Sequence, residues 1–236
     1  MLMQILRGPK DEAEAMHFAM TGTRPERIAL AIRAGIALAL NPNDTQQVFY
    51  LASAVDRQKL PQVAARLEAD ASGRALLRDG AAIDTTHVDF DALRSLPADT
   101  LGGAYARALD SQGLSPDTFK RPPGLPENLA YTEQRVRQTH DVWHVLTGMA
   151  TDIPGEVALQ AFIHAQLQQN FSKFIVWFGL AFYGLRYPQL WKLVKNSRRA
   201  GEQAAFLLSV RWEDFWSAPL SEVREKFNVS VIPDMA

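Results

Sequence analysis

Apolar residues recur three and four positions apart along nearly the whole chain, the period that lines them up on one face of an α-helix. From Arg24 to Leu40 the stripe is Ile28, Leu30, Ala31, Ala34 and Leu38, and Asn41-Pro42-Asn43-Asp44 supplies a stop and the next cap. The same pattern predicts helices over Thr45–Val55, Leu60–Ala69, Gly73–Arg78, Asp91–Leu96 and Thr100–Asp110. Alternation of strand type is absent; Thr85–Val88 comes nearest and is short. Arg121-Pro122-Pro123-Gly124-Leu125-Pro126 is the clearest break, too brief for a linker. Beyond it the periodicity resumes over Tyr131–Ala150, Gly155–Asn170, Ser172–Leu185, Pro188–Trp212 and a last helix from Pro219. The predicted fold is all-α, a single-domain multi-helix bundle spanning residues 1–236, with residues 1–24 irregular.

One of these helices carries more than a core stripe. Between Tyr131 and Ala150, Val142, Val145, Leu146 and Met149 form the apolar side, while Arg137, His140, Asp141, His144 and Gly148 occupy the opposite arc. Residues four apart stack one turn above each other, so His140 and His144 can aim at one point. Eleven residues separate His144 from Glu156, and Asp152, Pro154 and Gly155 between them can close one helix and open another. An antiparallel helix pair would then return the Glu156 carboxylate to the two imidazoles. The expected metal set is His140, Asp141, His144 and Glu156 around one divalent cation, against the plainer reading of two surface histidines on a polar face.

Composition narrows the chemistry. Twenty-five basic and twenty-six acidic residues nearly cancel, so the footprint of a general nucleic-acid binder is missing. With no cysteine, a metal must be held by histidine and carboxylate. That donor set suits Zn²⁺ first, with Fe²⁺ or another transition metal also compatible. The longest apolar run, Phe174–Leu185, is too short to span a bilayer, and the first twenty residues have neither signal-peptide nor transit-peptide character.

The run Arg135-x-Arg137-x-x-His140-Asp141-x-x-His144-x-Leu146-x-Gly148, with Glu156 following, resembles the signature of the coenzyme Q (ubiquinone) biosynthesis protein 4 family. Further similar landmarks keep the same order: Leu96-Pro97-x-x-Thr100-Leu101-Gly102 with Ala104-Tyr105, Leu114-Ser115-Pro116-Asp117, Trp212-Glu213-x-x-Trp216, and Leu220 through Phe227. The resemblance implies a protein of ubiquinone synthesis that handles a polyprenylated aromatic ring, by oxidative decarboxylation and hydroxylation at the carbon bearing the carboxyl group, or as a non-catalytic lipid-binding scaffold for the other pathway proteins. With neither signal nor transit peptide seen, the expected location is cytoplasmic, peripheral at the inner membrane of a bacterial-type cell; a homodimer is a further expectation. Phe174, Trp177, Phe178 and Phe182 are then expected to wall an apolar lipid tunnel, although ordinary core is the bland alternative.

Asp141 could ligate the metal, act through water or serve as a base, and Arg137 could pair with Asp141 or with an acidic group on the ligand. These two are the candidate catalytic residues. A metallohydrolase is the competing enzyme class, because helical His-Glu-x-x-His sites share the histidine spacing. Lys192, Lys195, Arg198 and Arg199 make a basic run, either a solvated face or a contact for anionic lipid headgroups. His164 reads as a satisfied histidine rather than a fifth ligand.

Overall fold

A computed structural model describes residues 9–40, 45–56 and 58–232. Among these, twelve α-helices and three short 3₁₀ turns form the regular structure, without a strand, in keeping with the all-α expectation. The predicted stop and cap at Asn41–Asp44 lie outside the described residues. Thr85–Val88 is turn, and a lone bridge joins Thr100 to Pro219.

The first three helices are α1 (Glu12–Thr21), α2 (Arg24–Leu40) and α3 (Thr45–Asp56). Helix α1 corrects the expectation of an irregular N-terminal segment. Asp11 caps it by accepting from Glu14 N at 2.9 Å, and Glu12 and Glu14 place negative charge in its first turn. Its buried side is only Ala15, Met16 and Ala19, too slight a stripe to stand out in the sequence. These helices share a small core of Ala15, Leu30, Ala34, Tyr50, Leu51 and Ala54.

The middle of the chain supplies α4 (Leu60–Ala69), α5 (Ala71–Asp79), α6 (Phe90–Ser95) and α7 (Leu101–Gln112). Then come α8 (Glu127–Thr147), which carries the histidines, α9 (Ile153–Leu167), which carries Glu156, α10 (Asn170–Tyr183), α11 (Leu190–Gln203) and α12 (Leu220–Lys226). The larger core is built around Trp143, Leu146, Leu159, Phe162, Leu190 and Trp212, all fully buried. Each such side chain contributes roughly 1.5–3 kcal/mol by leaving water.

The helix predicted over Pro188–Trp212 ends early, at Gln203. Gly201 lies so close to α9 that a Cβ there would stand 2.7 Å from the Phe162 carbonyl oxygen. The Gln166 side chain then intervenes, donating to Gly201 O at 2.6 Å and accepting from Leu207 N at 3.0 Å. This side chain satisfies backbone groups that a continuing helix would have paired, and the chain proceeds as 3₁₀ turns at Leu207–Ser209 and Trp212–Phe215.

Helix α8 is buried nearly all round, so its polar side does not face bulk water as a simple wheel suggests. Thr132, Thr139 and Thr147 turn their hydroxyls back to the carbonyls of Asn128, Arg135 and Trp143 at 2.7–2.8 Å. Arg135, fully buried, meets Glu213 through both terminal nitrogens at 2.7 and 3.0 Å and donates to Val210 O at 2.8 Å. At the far end Gly148 takes a left-handed φ of 72°, while Arg224 donates to the Val145 and Leu146 carbonyls at 3.0 and 2.8 Å. The histidine-bearing helix is thus pinned at its middle and at its C-terminal end by residues distant in sequence.

Candidate metal centre

His140 and His144 lie one turn apart on α8, with ring centroids 4.9 Å apart. Glu156 sits in the first turn of α9. Asp152 starts that helix by accepting from Gly155 N at 2.9 Å, and a Cβ on Gly155 would fall 2.0 Å from the Ala150 carbonyl oxygen, so only glycine lets the turn fold this tightly. The carboxylate returns to both rings: Oε1 lies 3.0 Å from His144 Nε2 and Oε2 lies 3.6 Å from His140 Nε2. One donor atom from each of the three residues falls within 4.8 Å of the others.

The far side of each ring decides what those donors can do. His144 Nδ1 is 3.0 Å from the Met149 carbonyl, which only accepts, so Nδ1 carries the proton. His140 Nδ1 is 3.2 Å from Asp141 Oδ1. Both Nε2 atoms are thereby directed at Glu156, the arrangement in which an outer acceptor orients a metal-binding imidazole. A neutral Nε2 and a carboxylate oxygen at 3.0 Å are two acceptors facing each other, and a proton or a cation between them resolves the conflict. Donors ~2.1 Å from one cation stand ~3.0–3.4 Å apart at octahedral to tetrahedral angles; the 3.0 Å pair lies in that range and the 3.6 Å pair just beyond it, so a slight inward shift of His140 would suit a single ion.

The electrostatics agree. Burial disfavours the His140 cation, but the hydrogen bond it donates to Asp141 and the charges of Glu156 and Asp141 outweigh it and hold the ring above its ordinary value. Burial likewise opposes ionisation of Glu156, yet the His144 hydrogen bond and the two imidazoles keep its carboxyl below the usual range. The helix N-terminus beneath it favours the same charge.

His140 and Glu156 open onto a cavity of about 510 Å³. Its apolar wall includes Phe49, Val136, Trp143, Ile163, Phe171 and Ile175, from four helices. Helix α9 makes its closest backbone approach to α11 and meets α8 through side chains. The Trp143 and Phe162 rings, 6.0 Å between centroids and meeting edge to face, stand between α8 and α9. That separation leaves space for the site.

Other predicted site residues lie elsewhere. Asp141 is outside the three-residue group, turned to the back of His140. Arg137 does not reach Asp141: it pairs with Glu12 and with Glu133 at 3.0 Å, lies over the Phe49 ring at 4.1 Å, and lines the cavity. His164 is satisfied by the Gln169 carbonyl at 2.9 Å.

The four aromatics expected to wall a tunnel are not among the residues lining this cavity. Phe174, Trp177 and Phe182 are exposed, Trp177 by 66% and Phe182 by 65%, and Phe178 stacks between its neighbours at 6.1 and 4.2 Å. Gly179 sets this rotation, because its Cα faces Val157 on α9 so closely that a Cβ would come within 2.5 Å. With that side inward, α10 offers Phe171 and Ile175 to the cavity instead.

Sequence reasoning also missed Gln160, which lines the cavity one turn after Glu156. The spacing of four from Glu156 was the available signal. Among the described residues seven buried side-chain atoms have no partner, and three belong to residues of this cavity wall: Arg137 Nη2, Trp143 Nε1 and Gln160 Oε1. Each would cost roughly 1–3 kcal/mol if left so.

The profile of the family described as coenzyme Q (ubiquinone) biosynthesis protein Coq4 matches residues 17–233. A mitochondrial ubiquinone biosynthesis protein coq4 of Pyrenophora tritici-repentis is 31% identical over 225 residues, covering 90% of this chain and 75% of its own. The Coccidioides immitis counterpart is 32% identical over 216 residues, covering 89% and 75%. A crystal structure from Nostoc punctiforme, titled as that of a candidate ubiquinone biosynthesis protein, superposes with a TM-score of 0.69 at 26% identity, covering 85% of this chain and 95% of the other.

Proposed function

Because the chain belongs to the coenzyme Q (ubiquinone) biosynthesis protein Coq4 family, we propose that it takes a polyprenylated hydroxybenzoate into the cavity beside a divalent cation held by His140, His144 and Glu156. The reaction is oxidative decarboxylation: the ring carboxyl leaves as carbon dioxide, water supplies the hydroxyl that replaces it, and dioxygen takes the two electrons and two protons and leaves as hydrogen peroxide. The observation that carries this reading is the convergence of three metal-type donors at the wall of an apolar cavity.

A bound cation, Zn²⁺ or Fe²⁺, supplies a centre that polarises a carboxylate or phenolic oxygen. The chain's own residues do the rest. Asp141 holds the His140 ring with Nε2 forward and is the nearest carboxylate to take up a proton behind it. Arg137 offers its unpaired Nη2 to the ring carboxylate. The apolar wall seats the first isoprene units, each buried methylene contributing ~0.8 kcal/mol, and so fixes the ring.

Three protein donors leave coordination positions for substrate, which favours catalysis over a purely structural metal in a scaffold. Hydrolysis is disfavoured because Asp141, at the position of the base in His-Glu-x-x-His sites, faces away from the shared side of the histidines. Purified protein supplied with metal, dioxygen and a prenylated hydroxybenzoate should release carbon dioxide. His144→Ala should not, and equal release would remove the metal from the mechanism.

The outward face of α10 suggests where a lipid substrate is collected. Phe174, Trp177 and Phe182 are exposed, Trp191 joins them at 61% exposure on α11, and Lys192, Lys195, Arg198 and Arg199 are exposed on that same helix. Aromatic side chains beside cations suit a peripheral contact with an anionic bilayer. No described helix is long and apolar enough to cross one. Co-sedimentation with anionic vesicles should fall on Trp177→Ser, and unchanged binding would reject this face.

A further inference from the structure

Gln160 lies four residues beyond Glu156 on α9, ~6 Å further along the same face of the helix. It lines the cavity, is 9% exposed, and its Oε1 meets no donor. Two more unpartnered atoms belong to the same wall, Arg137 Nη2 and Trp143 Nε1, and both are donors. The wall therefore lacks two acceptors and one donor. A hydroxybenzoate head supplies that set, with carboxylate oxygens to accept and one hydroxyl to donate.

We infer that Gln160 is a specificity-determining residue that reads the ring hydroxyl of the ligand by accepting its proton at Oε1. The inference rests on the function proposed above. Oε1 is buried within the cavity wall, and the terminal amide torsion of glutamine is soft, so a modest turn of the amide presents the oxygen to an entering ring. Only the ionised carboxylate can meet Arg137, which leaves the hydroxyl as the single ligand group able to satisfy this acceptor. A ligand lacking that hydroxyl leaves the amide unpaired, the condition under which a buried polar site discriminates most strongly.

The test compares three probes on the full-length, metal-loaded protein by equilibrium dialysis. They are a para-hydroxybenzoate with a geranylgeranyl tail ortho to the hydroxyl, its O-methyl ether, and geranylgeraniol. Wild type should bind the phenol about tenfold more tightly than the ether, about 1.4 kcal/mol. In Gln160→Met, of similar length and apolar, the ratio should fall to about one while geranylgeraniol affinity stays unchanged. Gln160→Leu serves the same purpose should the methionine variant not fold. A ratio preserved in the variant, or a ratio of one in wild type, overturns the assignment while leaving the lipid reading intact. An equal loss for all three probes makes Gln160 merely structural and also overturns it. Failure of wild type to bind either ring probe overturns both readings.

Discussion

Replacing Asp141 by Ala, beside Glu156→Ala, separates an orienting residue from a metal ligand. Asp141 Oδ1 contacts His140 Nδ1 at 3.2 Å and stands outside the group formed by His140, His144 and Glu156. Removing an outer partner of a metal-binding histidine lowers affinity by ~10–100-fold, or ~1.4–2.7 kcal/mol. A direct ligand weighs more: structural zinc sites with four ligands bind with about 10–16 kcal/mol, or ~2.5–4 kcal/mol per ligand, so Glu156→Ala should lose on the order of a hundredfold to a thousandfold. Titration of Zn²⁺ against a chromophoric chelator gives both constants, and X-ray absorption counts the inner shell. Asp141→Ala should keep one ion per chain and an unchanged shell of nitrogen and oxygen donors. Loss of an oxygen from that shell, or a penalty equal to that of Glu156→Ala, would make Asp141 a ligand and refute the orientation argument.

Three further changes test the frame around the site. Glu213→Ala strands the buried Arg135 guanidinium, which should cost about 3–5 kcal/mol by urea denaturation; a loss below about 1 kcal/mol would mean that water reaches Arg135. Gly179→Ala should destabilise by about 1–3 kcal/mol despite the better helix propensity of alanine, because its Cβ would meet Val157, and Val157→Ala in the same chain should recover much of the loss. Asp56 accepts from the backbone N–H groups of Asn170 and Phe171 at the start of α10, but burial, the largest influence, pushes its carboxyl up from 3.8 to about 6. The folded state therefore holds this proton more tightly than the unfolded chain, and stability falls as pH rises from about 4 to above 6, by roughly 3 kcal/mol in all. Asp56→Asn should lack this decline, gaining on wild type as pH increases through 6; parallel unfolding profiles across that range would contradict it.

How much of this was legible in the sequence depended on whether the deciding contacts were local. The His140–His144 spacing and the Asp152-x-Pro154-Gly155 start of α9 are local, so the approach of Glu156 could be reasoned from helix geometry alone. Helix starts were legible where a side-chain cap fixed them, as at Asp152, whereas α8 begins at Glu127, ahead of the expected Tyr131, with no side chain capping it. The end at Gln203 was not legible either, because the Gln166 side chain from another helix ends α11. Arg137 has Glu12 as a partner across 125 positions, in a helix whose apolar stripe is nearly all small residues. The aromatic residues of α10 invited the opposite error. Their identity suggested an inward wall, but rotation of the helix follows from one glycine against one valine, a contact invisible to any helical wheel.

The charge around the cavity carries the argument one step past the ligand geometry. Asp56, Glu133 and Glu156 line it, and Arg137 is the one lysine or arginine among the lining residues, already engaged by Glu133 and Glu12. An apolar enclosure with surplus carboxylates raises their energy when ionised, as the upward shift at Asp56 records. Two responses are open to such a wall: to take up protons, or to hold a cation. Asp56 follows the first, because burial outweighs the two backbone N–H groups that favour its ionised form. Glu156 follows the second, since the two rings hold its carboxyl low and ready to ligate where the cavity begins. The same surplus makes the wall a poor host for an anionic ring acid unless positive charge lies at its polar end, so on the proposed function a cation held by His140, His144 and Glu156 would also be what lets a carboxylate substrate enter.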